Sequence, residues 1–412
     1  MRYTARDITV LEGLDPVRRR PGMYIGGVGS TGLHHLVWEI LDNAVDEALN
    51  GHCTEIGVVL HAGGDAITVT DNGRGIPVDV HPKHKKPAIE LIFGTLHAGG
   101  KFEKGTYRTA GGLHGVGASV VNALSSSLVA KVKRDGTLWE MRFRHGKTAG
   151  KLKKVGASRG TGSSVTFQPD PTIFPKTRFN PETIRQRLEV TSYLHRGLRI
   201  TFADEGAKLK FTYKHDGGIE DYLKRILSER KARLIHETPF VLSRDNGARV
   251  EVVLQWTETT DEHVRSYVNG IPTYAGGTHE NGMRAGLTKA VRNYVETHKV
   301  APRGVTITSD DIREGVVGVL SLLLGEPQFQ GQTKERLNNQ DAQSLVDGFV
   351  RPALEQWLNS NRTTAEQIVA RIIQAARARE ASRAASAAVA RKTATSGKLT
   401  LPGKLSDCSS SS

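Results

Sequence analysis

The 412-residue sequence predicts an α+β protein of two or three units, and three observations carry that prediction. Residues 31–50 have a helical apolar period and feed directly into two short alternating strands. A polar, glycine-rich stretch from Gly99 to Gly117 precedes a short helix. After Lys214-His215-Asp216-Gly217-Gly218 the alternation of helices and strands begins afresh.

In the first unit, residues 56–60 and 66–70 read as strands around the turn Ala62-Gly63-Gly64-Asp65, and residues 88–97 have helical spacing. Residues 118–124 read as a short helix. Strands return at 128–134, 137–144 and 164–168, which makes a mixed sheet covered by helices. In the second unit, residues 219–229 and 281–296 read as helices, 250–256 and 263–268 as strands, and 316–324 as a buried strand. Residues 364–392 are Ala/Arg-rich with high helix propensity. The boundaries that follow are 1–215, 216–392 and a linker at 393–412.

With 38% hydrophobic and 24% charged residues, the composition is globular and excludes a fibrous or disordered chain. The net charge of +14 calls for an anionic partner. Nucleic acid fits better than a membrane, because no long basic amphipathic helix with aromatic anchors is present. The first residues lack an apolar signal core, and the run 316–324 is about half a membrane span. Cys53 and Cys408 form no CxxC pair, so neither a disulfide framework nor a zinc site is implied, and a reducing, cytoplasmic setting is expected.

Three blocks carry candidate chemistry. Glu39, Asn43 and Asp46/Glu47 fall three to four residues apart on one helical face. Asn43 offers an amide oxygen to Mg²⁺, Glu39 could polarise an attacking water, and His35 one turn back could hold Glu39. In Asp71-Asn72-Gly73-Arg74-Gly75-Ile76-Pro77, a strand-end carboxylate could accept a hydrogen bond from an exocyclic amine such as that of adenine. In Gly111-Gly112-Leu113-His114-Gly115-Val116-Gly117, backbone amides and the helix start beyond them suit phosphate. Its order, GGxxGxG, is neither the dinucleotide fingerprint nor a P-loop. Read singly, the glycine loop is an ordinary turn, Asp71 an ordinary turn aspartate and His35–Glu39 an ordinary helical pair. Together they supply what a nucleotide needs.

The three blocks together resemble the ATP site of the GHKL family, which embraces gyrase B subunits, heat-shock chaperones, MutL and histidine kinases. Further blocks resemble the B subunits of bacterial type IIA topoisomerases, gyrase and topoisomerase IV alike. They are Arg20-Pro21-Gly22-Met23-Tyr24-Ile25-Gly26, Gly32-Leu33-His34-His35, Leu96-His97-Ala98-Gly99-Gly100-Lys101-Phe102, Gly270-Ile271-Pro272 with Gly276-Gly277-Thr278-His279, Gln332-Thr333-Lys334 and Leu401-Pro402-Gly403-Lys404-Leu405. The resemblance implies a GHKL (Bergerat-type) sandwich followed by a ribosomal-S5-like α/β transducer domain. It also implies ATP and Mg²⁺ as ligands, an ATP-dependent homodimer, DNA, and an A subunit in an A2B2 tetramer.

Residue by residue, Glu39 would be the general base oriented by His35, Asn43 the Mg²⁺ ligand, and Asp71 the adenine reader. Gly75 and Pro77 would shape the pocket floor, Ser163 would stand where the family has threonine, and Arg134 would lie at the mouth. Lys101 and Tyr107 would belong to a lid, with Gly112, Leu113, His114, Gly115, Val116 and Gly117 around the phosphates. Lys334, with Gln332, would reach the γ-phosphate from the second domain. Tyr3 and Ile8 would lie in an arm that crosses to the other protomer's site. Arg377, Arg379 and Arg383 on the last helix would face transported duplex. The family's metal-binding cleavage domain would follow Cys408, so the chain is expected to hydrolyse ATP slowly without cleaving DNA. A GHKL chaperone or mismatch-repair clamp is the alternative.

Overall fold

A computed structural model describes residues 4, 8, 10–101, 109–112 and 115–395, the last eight as backbone alone. The first unit is a nine-stranded mixed sheet. Its strands are β1 (Glu55–Leu60), β2 (Ile67–Asp71), β3 (Ser125–Arg134), β4 (Thr137–Arg144), β5 (Lys147–Thr148), β6 (Lys153–Ala157), β7 (Gly162–Pro169), β8 (Arg199–Asp204) and β9 (Leu209–Tyr213). They run in the order β5-β4-β3-β7-β2-β1-β8-β9, with β6 also on β4. Only the β1–β8 pairing is parallel. The helices of this unit are α1 (Asp15–Arg19), α2 (Gly22–Ile25), α3 (Ser30–Leu49), α4 (Ala88–Gly94), α5 (Gly117–Ala123) and α6 (Pro181–Leu194).

Alternation along the strands decides which face the helices cover. Ile56, Val58, Ile67, Val69, Leu128, Ala130, Val132, Val165 and Phe167 are buried, and they share a core with Leu36, Val37, Ile40, Leu41 and Val45 of α3. The intervening positions are largely polar and face away, as a period of two requires. Fully burying each such aliphatic side chain contributes about 1.5–3 kcal/mol, so α3 is anchored by its apolar stripe rather than by its uncapped first turn. Helix α6 starts on a clear signal, Asn180 accepting from the Glu182 and Thr183 amides with Pro181 at its first position.

The second unit is a five-stranded sheet in the order β10-β11-β14-β12-β13. Its strands are β10 (Phe240–Asp245), β11 (Arg249–Trp256), β12 (His263–Val268), β13 (Ile271–Pro272) and β14 (Val316–Leu323). Helix α7 (Ile219–Arg230) lies on one face; α8 (Thr278–His298), α9 (Ser309–Arg313), α10 (Gln340–Ser360) and α11 (Arg362–Thr395) complete the other. Both faces are therefore covered, which explains why β11 and β14 are buried almost without interruption. Tyr193 and Leu194 of α6 pack with Tyr222, Leu223, Val253, Val317 and Val319, so a hydrophobic cluster joins the two units.

The elements expected from sequence are all present, with shifted ends. The helix expected over 88–97 stops at Gly94, where Thr95 turns extended. Strands β5, β6, β8, β9, β10 and β13 and helices α1, α2, α6, α9 and α10 are not among the elements expected from sequence. Helix α11 is stitched down by Ala365, Ile368, Val369, Ile372, Ala375 and Ala376, and residues 381–387 beyond them are exposed. Among the described residues no helix is long and apolar enough to cross a membrane.

Candidate functional site

Between the helical layer and the first sheet lies a cavity of about 330 Å³. It is lined by Glu39, Asn43, Asp71, Gly75, Pro77, Lys101, Gly112, Gly115, Val116, Gly117, Arg134, Ser163, Gln332 and Lys334. The structure thus gathers residues from the whole span between α3 and the segment after β14.

One end is built on strands. Asp71 closes β2, and its Oδ1 accepts from the amides of Gly73 at 2.8 Å and Ser163 at 3.3 Å. The second oxygen has no hydrogen bond among the described residues. Burial pushes the Asp71 carboxyl up to about 6, against the pull of those two amides. Ser163 Oγ accepts from the Ile76 amide at 3.1 Å, and Arg134 Nη1 donates to the Gly75 carbonyl at 2.8 Å. Gly75 has φ +79°, and a Cβ there would lie 2.9 Å from the Lys133 carbonyl oxygen, so glycine is needed for both conformation and space.

The opposite end is charged. His35 Nε2 lies 3.0 Å from Glu39 Oε1, short in distance but without the alignment of a full hydrogen bond. Lys334 arrives from the segment after β14 and brings Nζ to 3.8 Å from the same oxygen. Burial raises the Glu39 carboxyl, but Lys334, His35 and Lys101 outweigh it and bring it down to about 2. The Lys334 ammonium is pushed down by burial and held up by Glu39, Asp42 and Asp46, with a net upward shift. Gly117 opens α5 directly against Glu39: a Cβ would fall 2.1 Å from Glu39 Oε2, so a larger residue would push the carboxylate out of this position.

Asn43 lies one helical turn beyond Glu39. Its Nδ2 donates to the Glu39 carbonyl at 2.8 Å, and its Oδ1 accepts from Lys101 Nζ at 2.7 Å. Lys101 also reaches Asp46 Oδ2 at 2.5 Å. Asp46 accepts from the amides of Gly111 at 2.6 Å and Gly112 at 3.2 Å, which ties the glycine loop to α3.

Several contributors carry no assigned role in the sequence reading. Asp46 shares the helical stripe with Glu39 and Asn43, so the period gave its position but not its partners. Asp42, half-buried near Lys334, is pushed up by desolvation and pulled down by Lys334 and Arg187, with a net rise. Asn269 is buried in the turn after β12; its Nδ2 donates to the carbonyls of Ala110 at 2.7 Å and Leu324 at 2.9 Å, and its Oδ1 accepts from the Leu324 amide. It thereby fastens the glycine loop to the strand end from which Lys334 departs. The Asn269-Gly270 pair is a local signal for the hairpin turn between β12 and β13, but nothing local marks the partners of Asn269 or Arg187.

The remaining expected residues fall elsewhere. Tyr3, Tyr107, Leu113 and His114 lie outside the described residues, and Ile8 is exposed. Arg377 and Arg383 are exposed on α11. Arg379 is not free for a partner as expected: its Nε meets Asp311 Oδ1 at 2.9 Å and its Nη2 donates to the Thr306 carbonyl at 2.7 Å, locking α11 to α9.

Comparison with known proteins agrees with this architecture. The family model described as "Histidine kinase-, DNA gyrase B-, and HSP90-like ATPase" matches residues 29–173, and that described as "DNA gyrase B" matches residues 218–388. The gyrase B protein of Halalkalibacterium halodurans is 42% identical over 92% of this chain and 59% of its own length. The chain therefore spans about three fifths of the curated relatives it matches.

The 43K ATPase domain of Thermus thermophilus gyrase B, solved with an aminocoumarin, superposes with a TM-score of 0.75 at 39% identity, covering 90% of this chain and 97% of that one. The ATP-binding domain of Francisella tularensis topoisomerase IV, solved with a small-molecule inhibitor, gives 0.75 at 36% identity over 90% and 98%. These matches set aside the chaperone and mismatch-repair alternative. With a GHKL-type sheet carrying the glycine loop and a second α/β unit delivering Lys334, the chain belongs to the DNA gyrase B family.

Proposed function

We propose that this chain binds and hydrolyses ATP in the cavity beside α3, and that closure over the nucleotide clasps two copies around DNA as part of a type IIA topoisomerase. The observation that carries the reading is the meeting of Glu39, on the first unit, with Lys334, from the second. Asp71, with one oxygen fixed by two amides, is set to accept from the adenine amine. Ser163, Gly75 and Pro77 form the floor beside it, and Arg134 the mouth. Gly112, Gly115, Val116 and Gly117 offer backbone to phosphates at the start of α5.

The residues present fit Mg²⁺, which prefers few protein oxygens plus phosphate and water: Asn43 Oδ1 supplies one, now shared with Lys101. Bound there, the ion would neutralise developing charge on the phosphates. Held near 2, Glu39 is ionised but a weak base while Lys334 sits beside it. A γ-phosphate competes for Lys334, and drawing that ammonium away raises the basicity of Glu39. His35 keeps the carboxylate oriented towards water. Hydrolysis would thus require the second unit to be seated, and ADP would release it.

The boundary between the two units falls near residues 215–216, Tyr3 and Ile8 belong to an arm that completes the other protomer's site, and the complete enzyme carries an A subunit in an A2B2 tetramer. Arg377 and Arg383 are its duplex-facing cations on α11. The test is light scattering of the purified chain with a non-hydrolysable ATP analogue and Mg²⁺. A dimer is expected with the analogue and a monomer with ADP; a chain saturated with analogue that stays monomeric overturns the clasp.

A further inference from the structure

The face of the first sheet turned away from its helices carries a concentration of positive charge. Between Lys131 and Arg159 ten Lys/Arg stand against Asp135 and Glu140, a surplus of eight in a chain whose net charge is +14. Register gathers six of these cations on one surface. Residues directly opposite in a ladder share a face. Lys131 lies opposite Glu140, Glu140 opposite Lys153, and Arg144 opposite Lys147. Lys133 and Arg142 follow two positions along the same strands, while Val132, Met141 and Phe143 between them are buried on the helical side.

Glu140 is the carboxylate among them, and it already serves Arg142 at 2.7 Å and Lys131 at 3.7 Å. Lys133, Arg144, Lys147 and Lys153 are exposed and have no acidic partner among the described residues. The contrast with α11 is direct, since Arg371 is paired with Glu314 and Arg379 with Asp311. Further across the same face run hydroxyls: Ser164 and Thr166 of β7, hydrogen-bonded to Thr70 and Thr68 of β2. Thr201 and Thr212 continue it, and Lys210 stands at the far side. At about 4.8 Å per strand this face is roughly 30 Å broad.

We propose that this open sheet face holds duplex DNA by its phosphates, independently of sequence and on the side opposite the nucleotide cavity. The proposal rests on the DNA-handling function given above and names a surface for it. Uncompensated Lys and Arg beside Ser and Thr hydroxyls are the donors that contact a phosphate backbone. None of these positions is aromatic. Single strands are gripped by base stacking on aromatic rings, and membrane interfaces by apolar anchors, so the chemistry favours a duplex over either.

Fluorescence anisotropy of a labelled 30-base-pair duplex with the full chain, without nucleotide, tests this. Six phosphate contacts give a slope of log affinity against log salt of about −5. The combined variant Arg142→Glu, Arg144→Glu, Lys147→Glu is expected to lose at least about tenfold in affinity at roughly 50 mM salt and about half of that slope, with basal ATPase unchanged. Unchanged affinity, or a smaller loss than that of Arg377→Glu with Arg383→Glu, overturns the proposal. So does binding to phosphatidylglycerol-containing vesicles in place of the duplex.

Acetylation footprinting of the unaltered chain removes any dependence on the folding of the variants: the duplex should protect Lys131, Lys133, Lys147 and Lys153 but not Lys299 at the end of α8, and equal rates for all five would refute it. A chain that dimerises with the ATP analogue yet shows no such protection loses only this surface. One that fails to dimerise loses the clasp, while the duplex titration still stands.

Discussion

The two ends of the nucleotide cavity are built on different principles. At the Asp71 end every partner belongs to the first sheet and its loops, and the carboxylate is fixed by the amides of Gly73 and Ser163 whatever the second unit does. At the Glu39 end the decisive cation belongs to another unit, and its 3.8 Å contact exists only while the interface that carries Lys334 is seated. On the proposed function, recognition is therefore preorganised, whereas chemistry depends on assembly. A site divided in this way can bind nucleotide first and react only once the two units are aligned.

The largest test of that division is Glu39→Ala, expected to bind nucleotide but lose roughly 10² to 10⁴ in turnover, as removal of a general base does. Near-normal steady-state ATPase would take Glu39 out of the role. Lys334→Ala should lose about 10² to 10³ in turnover, the scale of a deleted charge-stabilising donor, with ADP affinity untouched. Weakened ADP binding in this variant would erase the distinction between the ends.

Asp71→Asn addresses the other end: replacing the acceptor leaves a buried mismatch worth about 1–3 kcal/mol, or roughly 5- to 150-fold in ATP affinity by calorimetry, with little change in turnover at saturation. The same residue sets a pH dependence. Because burial raises its carboxyl to about 6, the acceptor is lost as pH falls through 6, so ATP affinity should weaken there, and Asp71→Asn should remove that step. The sign for stability is opposite: an aspartate raised in the fold costs stability when ionised, a cost that grows as pH rises above its unfolded value near 3.9, is complete above about 6 and is relieved as pH falls back through that window. The smallest effect is that of Asn269→Ala. It orphans the Ala110 carbonyl and the Leu324 carbonyl and amide at a cost of about 1–3 kcal/mol in thermal unfolding, and turnover should fall more than nucleotide affinity because the glycine loop and the segment that carries Lys334 lose their shared fastener.

The same contrast separates what could be read in the chain from what could not. Asp71, Gly75 and the helical stripe of Glu39, Asn43 and Asp46 were legible because strand ends, turn glycines and a 3.6-residue period are local signals. Lys334 entered through resemblance, with no local pattern of its own. Asp42, Arg187 and Asn269 were missed because a polar side chain packed between elements declares its partners only in three dimensions. Arg379, read as available for DNA, is instead spent on Asp311.

Sequence alone determined the α+β class, the glycine loop, the acidic helix face and the excess of positive charge, since each follows from periodicity, backbone freedom or composition. Tertiary structure decided that Lys334 opposes Glu39, that Asn269 joins two loops, and that six cations gather on the open face of one sheet. Those facts depend on strand register and on the packing of two units, where residues far apart in the chain become neighbours and burial sets the charge each can hold.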